Sequence, residues 1–143
     1  MNKSLQLTLC DTQGKLFELS GERGYDSEAF IKAFMTTDIS KDMDKEFHHV
    51  QWAGKEYIMS RMEDENSDAI IDDGIVYDNE TFYWTGYIYR YWNIYTGESS
   101  KDIYKQAPAK IMQTVYLMYH TMSPEISIDR LKDYYKDSKL NDC

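Results

Sequence analysis

This chain is poor in cysteine, proline and glycine, and it has no long hydrophobic run. Its 143 residues include two cysteines, two prolines and seven glycines. Because Cys10 and Cys143 do not indicate a disulfide framework, we predict a cytoplasmic, reducing environment. So few prolines and glycines are typical of a helix-rich fold. No stretch of about 18 apolar residues is present, and the first residues lack the apolar core of a signal peptide, so we expect no membrane association.

The motifs of common enzyme classes are also missing. There is no glycine-rich phosphate loop, no Ser-x-x-Lys and no Gly-x-Ser-x-Gly. His48 and His49 are adjacent, so on a helix their side chains diverge by about 100°, which disfavours binding of one metal ion. The carboxylates between Asp64 and Asp73 lack the closing glutamate of a calcium loop. We therefore predict a protein that is not an enzyme and that binds no metal and no cofactor.

Aromatic residues, by contrast, are abundant, at 15% of the chain, and they concentrate in residues 80–97. The apolar residues Trp84, Ile88, Tyr91 and Tyr95 recur at three- and four-residue steps, which predicts a central helix over about 80–96. Tyr83 and Tyr87 begin a second row that overlaps the first at Tyr91. Gly97 is a typical helix stop. Gly86 inside the helix costs about 1 kcal/mol relative to alanine, which indicates close approach by another helix.

The N-terminal residues predict a β-hairpin. Leu5, Leu7 and Leu9 alternate with polar residues, as in a strand, and Asp11 to Gly14 has the composition of a turn. The two strands would cover about residues 4–10 and 15–20. The predicted fold is therefore α+β but mainly α, with a helical bundle of about five to six helices around the central aromatic helix and an N-terminal β-hairpin. The predicted domain organisation is a single domain over residues 1–143.

Helix-start signals divide the rest of the chain. Asp26 or Ser27 can cap a helix that buries Phe30, Ile31 and Phe34. Ser40 can cap the next helix, and the apolar residues Phe47, Val50, Trp52, Ile58 and Met62 predict helix as far as about residue 63, with a break at Gly54. Further starts are predicted at Ser99, which has Asp102 three residues later, and at Ser123 with Pro124 and Glu125.

The net charge of −9 lies in one part of the chain. Residues 38–80 have a net charge of −9 and the remaining residues sum to zero. Residues 62–80, here called the acidic segment, contain eight acids and no base, which favours a cationic partner. A solvated loop that keeps the protein in solution is the alternative interpretation. The carboxylates predicted to bind the partner are Glu63, Asp64, Glu65, Asp68, Asp72 and Asp73.

A basic region follows the acidic segment. Arg90 lies among aromatic rings, where a guanidinium is either paired or directed at a partner, and we include it among the candidate partner-binding residues. Residues 99–121 have the outline of a helix-turn-helix, and Lys101, Lys105 and Lys110 lie in a region of net charge +2. A small DNA-binding regulator is therefore an alternative function. The protein as a whole is acidic and should repel phosphate, so binding of nucleic acid is the weaker hypothesis. We favour the interpretation of residues 99–121 as an antiparallel helix pair in a bundle.

The sequences WTGYIYRYW at 84–92 and YTGESSKDIYK at 95–105 resemble small bacterial proteins of toxin–antitoxin and immunity-type gene pairs. The resemblance covers the middle third to the C-terminal half of the chain, and it implies a non-enzymatic antitoxin. We therefore expect an antitoxin or immunity-type protein that binds and neutralises a protein toxin, or another basic protein, through its acidic surface. A phage-type anti-defence protein that mimics nucleic acid is a further alternative. A homodimer is a further alternative, since the edge of the predicted hairpin could extend a partner's sheet.

Overall fold

The computed structural model describes residues 3–45 and 54–141, which form eight α-helices and no β-strand. A 3₁₀ turn, Ser67–Ala69, lies between the fourth and fifth helices, and an isolated β-bridge joins Tyr25 to Asp72. None of the described helices is long and apolar enough to span a membrane. The helices are α1 (Lys3–Glu22), α2 (Ser27–Thr36), α3 (Asp38–Asp44), α4 (Lys55–Glu65), α5 (Asn79–Thr96), α6 (Ser100–Gln106), α7 (Ala109–Tyr119) and α8 (Pro124–Asn141).

The predicted N-terminal β-hairpin is wrong, and with it the α+β class, because residues 4–20 lie within the single helix α1. Its buried residues are Leu9, Cys10, Gln13, Gly14, Leu16, Phe17 and Ser20. They recur at steps of three and four residues and form one helical face. Leu7, the middle residue of the apparent alternation, is 37% exposed. A short alternation was therefore overridden by a longer helical pattern, and no hairpin edge exists to pair with a partner.

The largest helix contact in the described chain joins α1 to α5, and two glycines allow it. A Cβ atom placed on Gly86 would lie 2.6 Å from the carbonyl oxygen of Gln13, and one on Gly14 would lie 2.7 Å from the ring of Tyr83. The side-chain amide of Gln13 donates a hydrogen bond to the Gly86 carbonyl at 3.0 Å. The predicted close approach at Gly86 is thus confirmed, and Gly14 serves the same contact instead of a turn.

Gly86→Ala should destabilise the fold even though alanine favours helix. Overpacking costs about 1–3 kcal/mol, and the upper part of this range, about 2–3 kcal/mol, applies because the added Cβ would meet backbone atoms of α1. The gain in helix propensity returns about 1 kcal/mol. We expect a net loss of about 1–2 kcal/mol in the free energy of unfolding, measured by urea denaturation. Ser60→Ala, at an exposed position of α4, is the control and should not destabilise. A Gly86→Ala protein as stable as the parent would contradict the close packing.

The central helix α5 was predicted within one residue, but the buried face differs from the predicted one. Its buried residues are Thr81, Phe82, Thr85, Gly86, Ile88, Tyr89, Arg90 and Trp92. Trp84 and Tyr91 are half-buried, and Tyr95 is 46% exposed. The face that we predicted from Trp84, Ile88, Tyr91 and Tyr95 therefore borders the core, and of these four only Ile88 is fully inside it.

The interior is an aromatic cluster between α1, α2 and α5. The Phe17 ring makes edge-to-face contacts with the rings of Phe30, Phe34, Phe82 and Tyr89, with centroids 5.5–6.2 Å apart. Edge-to-face pairs contribute about 0.5–1.5 kcal/mol each beyond the area they bury. The predicted inward direction of Phe30, Ile31 and Phe34 is confirmed. This cluster fixes α1 and α2 on one side of the central helix.

Local start and stop signals were predicted well. Asp26 caps α2 by accepting a hydrogen bond from the backbone N–H of Ala29 at 3.0 Å, and Ser99 caps α6 in the same way through Asp102. Gly97 ends α5 with a left-handed φ of 79°. Ser40 caps no helix, since α3 begins earlier, at Asp38. The number of helices was underestimated for two reasons: α1 stands in place of the hairpin, and the described residues hold two helices, α3 and α4, where one helix with a break was predicted.

Glu98 connects α5, α6 and α8. Its carboxylate accepts hydrogen bonds from the Lys132 ammonium, from the Trp92 indole at 3.0 Å and from the Gln106 amide. Burial raises the pKa of this carboxyl, but these hydrogen bonds outweigh burial and lower the pKa to about 2. Glu98 therefore stays ionised at neutral pH and joins the C-terminal turns of α5 and α6 to the middle of α8.

Some predictions lie outside the described residues. These are the helix predicted across Phe47, Val50 and Trp52, the disfavoured metal site at His48 and His49, and the role of Cys143. The predicted break at Gly54 agrees with the start of α4 at Lys55.

Candidate functional site

The acidic segment covers the end of α4, the 3₁₀ turn, an irregular stretch and the start of α5. The irregular stretch is held against the N-terminus of α2. The backbone N–H of Asp26 donates to the carbonyl of Ile71 at 2.8 Å, and that of Ser27 donates to the carbonyl of Ile75 at 2.9 Å. In return, the N–H of Tyr77 donates to the Ser27 hydroxyl at 2.8 Å. The segment therefore presents its side chains from a fixed backbone.

Two of the predicted carboxylates are neutralised within the molecule. Glu63 accepts a hydrogen bond from the Tyr25 hydroxyl and forms an ion pair with Arg23 at 2.7 Å. Both interactions lower the pKa of the Glu63 carboxyl. Glu65 is paired with Arg61, whose guanidinium donates to it at 2.7 and 3.1 Å. Glu63 joins α4 to Tyr25 and Arg23, whereas Glu65 is paired within α4. Both glutamates therefore offer less charge to a partner than the sequence suggests.

Four other predicted carboxylates are exposed, and no described residue donates a hydrogen bond or ion pair to them. Three apolar side chains are exposed in the same segment, namely Ile71 at 53%, Ile75 at 77% and Val76 at 41%. Apolar side chains beside unneutralised charge are typical of a protein-binding surface. The four carboxylates belong to Asp64, Asp68, Asp72 and Asp73.

Arg90 is enclosed by the fold. It is 1% exposed, and its guanidinium donates to Asp44 at 2.7 Å, to Gln13 at 2.9 Å and to Asn93 at 3.1 Å. Ser100 joins the same cluster, since its hydroxyl and backbone N–H both donate to Asp44. The cluster joins α1, α3, α5 and α6, and a contact of Arg90 with a partner would require this junction to open.

The basic residues Lys101, Lys105 and Lys110 are exposed on α6 and α7. The two predicted helices of residues 99–121 are confirmed as helices, with a break at Ala107 and Pro108. Of α7, only Ala109 and Met112 are fully buried. The lysines therefore lie on a solvated surface, and their role in binding DNA stays a prediction.

A groove of about 710 Å³ lies on the opposite side of α5 from α2, and the sequence analysis missed it. Its floor is α5, one wall is α1, and the other wall is the C-terminal end of α7 with the turn that follows it. We call it the α5 groove. Floor residues are Glu80, Tyr83, Trp84, Tyr87 and Ile88; the walls contribute Asp11, Lys15 and Glu18 from α1, and Tyr116, His120, Met122 and Pro124 beyond α5.

The second row of tyrosines was the available signal for this groove. Tyr83 and Tyr87 have ring centroids 6.0 Å apart and lie along the floor, beside the buried stripe of the same helix. Across the groove, the Trp84 ring lies 5.7 Å from the Tyr116 ring, which contacts the His120 ring at 4.4 Å. A helix with two apolar rows needs two surfaces to cover them. The sequence pattern alone assigned both rows of α5 to one core.

Other chemistry is limited. Burial raises the pKa of the Cys10 thiol to about 12, so this cysteine is protonated and unreactive at neutral pH. Within residues 3–45 and 54–141, no group of three or more histidine, cysteine, aspartate or glutamate side chains is placed to hold a metal ion.

Comparison of this chain with models of protein families, with curated proteins and with solved structures finds no match.

Proposed function

We propose that this protein binds a basic protein through its acidic segment and neutralises it, as an antitoxin or immunity-type protein does. The observation that carries the proposal is the group of exposed carboxylates, Asp64, Asp68, Asp72 and Asp73, without counter-charges among the described residues. Exposed isoleucines lie beside them on a backbone that α2 holds in place. Charge would steer the encounter, and the apolar side chains would supply contact area once the partner is docked.

A phage-type anti-defence protein that mimics nucleic acid rests on the same physics. In that case the carboxylates would occupy the phosphate sites of a basic enzyme. The two functions differ in the partner and in the neighbouring genes. The surface involved is the same, so one set of variants tests both.

The double substitution Asp68→Lys and Asp72→Lys should slow association with the partner without unfolding the protein. Exposed charges contribute little to stability, typically 0–1 kcal/mol per pair. They change association rates by about ten-fold or more, and the effect falls as salt rises. The measurement is surface-plasmon kinetics with the product of the neighbouring gene at several salt concentrations, with circular dichroism as the test of folding.

The matched control is Asp133→Lys with Asp137→Lys on α8, which changes the net charge by the same amount at another exposed place. We expect this control to have a small effect on the association rate. Equal effects of the two double variants would mean that only the net charge matters. An unchanged rate in the Asp68 and Asp72 variant would leave the acidic segment as a solubility feature.

A further inference from the structure

The α5 groove has the geometry of a helix-binding groove, with one helix as its floor and two as its walls. Its floor residues Glu80, Tyr83, Trp84, Tyr87 and Ile88 are spaced at i, i+3, i+4, i+7 and i+8, which is one continuous stripe of α5. The stripe is about 12 Å long at 1.5 Å per residue, or between two and three helical turns. The walls, α1 and the end of α7, stand on either side, as neighbouring helices do in a bundle.

The groove continues toward the acidic segment. A second cleft of about 410 Å³ shares Glu80, Tyr116 and His120 with it and extends past Val76 to Leu117. Leu117 is 84% exposed and Val76 is 41% exposed. A path lined by both apolar and polar side chains therefore leads from the aromatic floor over α7, and it is longer than a compact small molecule requires.

The charges around this path are mainly negative. The acids that line the two clefts are Asp11 and Glu18 on α1, Glu80 on the floor and Asp78 in the second cleft. The base among the lining residues is Lys15, and the His120 ring also lines both clefts. Lys15 is already paired with Asp11 at 2.8 Å. Burial, followed by the nearby Glu22 carboxylate, raises the pKa of the Glu18 carboxyl, although Lys55 and Lys15 act in the opposite direction. Basic side chains of an occupant would be attracted by the carboxylates that line the two clefts.

We propose that the α5 groove binds a short amphipathic helix of the partner protein, with apolar side chains on the aromatic floor and basic side chains toward Glu18, Glu80 and Asp78. This inference rests on the proposed function, because it assigns the part of the basic partner that docks. In helix-in-groove recognition the bound helix supplies apolar anchors at i, i+3, i+4 and i+7. The apolar stripe of α5 formed by Tyr83, Trp84, Tyr87 and Ile88 is the surface on which such anchors would pack. Trp84 is the largest side chain of the floor and is the expected main anchor site.

The test measures binding of a fluorescein-labelled helical peptide by fluorescence anisotropy to the full chain. The probe is a leucine–lysine peptide of about 14 residues with its leucines on one helical face, and the reference is a peptide of the same composition in scrambled order. We expect the amphipathic peptide to bind at least about ten-fold more tightly than the scrambled one. Equal affinity, or no binding by the amphipathic peptide, would overturn the proposal.

Matched variants locate the peptide. Leu117→Gln and Trp84→Ala should each weaken binding about ten-fold, as loss of an anchor contact does. Met118→Gln, 63% exposed on the same helix but outside both clefts, should leave binding unchanged. Leu117→Gln tests the second cleft, into which the bound helix would extend from the α5 groove, without touching the core. Its result therefore stands even if Trp84→Ala perturbs folding. Equal effects of Leu117→Gln and Met118→Gln would refute the assignment.

The Asp68→Lys and Asp72→Lys variant separates this inference from the proposed function. If this variant loses the peptide while Leu117→Gln retains it, the acidic segment is the docking site; the groove assignment then fails and the proposed function stands. Self-association in sedimentation that Leu117→Gln abolishes would assign the groove to a second copy of this chain, and would likewise overturn the proposal.

Discussion

Trp92→Ala should lower the free energy of unfolding by about 3–5 kcal/mol, the usual range for truncation of a buried large aromatic side chain. The Trp92 indole is fully buried, and its N–H donates to Glu98 at 3.0 Å. Alanine would leave a cavity between α5, α6 and α8 and remove one donor from the Glu98 carboxylate. Denaturation by urea, followed by circular dichroism, measures the loss.

Trp84→Ala is the matched comparison, since it removes the same side chain from the same helix. Trp84 is half-buried on the floor of the α5 groove, so we expect less than half of the loss found for Trp92. The sequence pattern alone, which groups Trp84 with Ile88, Tyr91 and Tyr95, predicts the full loss of about 3–5 kcal/mol for Trp84→Ala instead. Equal losses for the two tryptophans would mean that the groove is closed in solution.

Arg90→Met should destabilise the protein by about 3–5 kcal/mol, as removal of one partner from a buried ion pair does. The substitution leaves the Asp44 carboxylate, whose side chain is 13% exposed, without its cation and leaves the side-chain amide oxygen of Gln13 without its donor. The junction of α1, α3, α5 and α6 loses the Arg90 guanidinium, which contacts residues of each of these helices. Arg130→Met, at an exposed position of α8, should change stability by less than about 0.5 kcal/mol.

A second substitution tests the physical cause. Adding Asp44→Asn to Arg90→Met should recover part of the loss, because the uncompensated buried charge is then removed. Strict additivity of the two substitutions would contradict a direct interaction between Arg90 and Asp44. A stability of Arg90→Met close to that of the parent would show that the guanidinium is available to a partner after all.

The sequence patterns that depend on near neighbours predicted structure correctly. The cap at Asp26, the stop at Gly97 and the start at Pro124 each follow from backbone conformation or from hydrogen bonds within one helical turn. The central helix was predicted because its apolar residues extend over five turns. The α1 helix was missed because three alternating leucines and one glycine, Gly14, match a hairpin locally, whereas the packing of that glycine against Tyr83 is remote in sequence.

The candidate site shows the same division. The sequence by itself determined where the negative charge lies, because the count of carboxylates over residues 62–80 needs no coordinates. Only the tertiary structure decided which charges are free for a partner: it brings Arg23, in the turn after α1, to Glu63 and leaves Asp68 exposed. It also decided which aromatic row of α5 is covered and which forms a groove, because burial depends on neighbouring helices that the periodicity of one helix cannot specify.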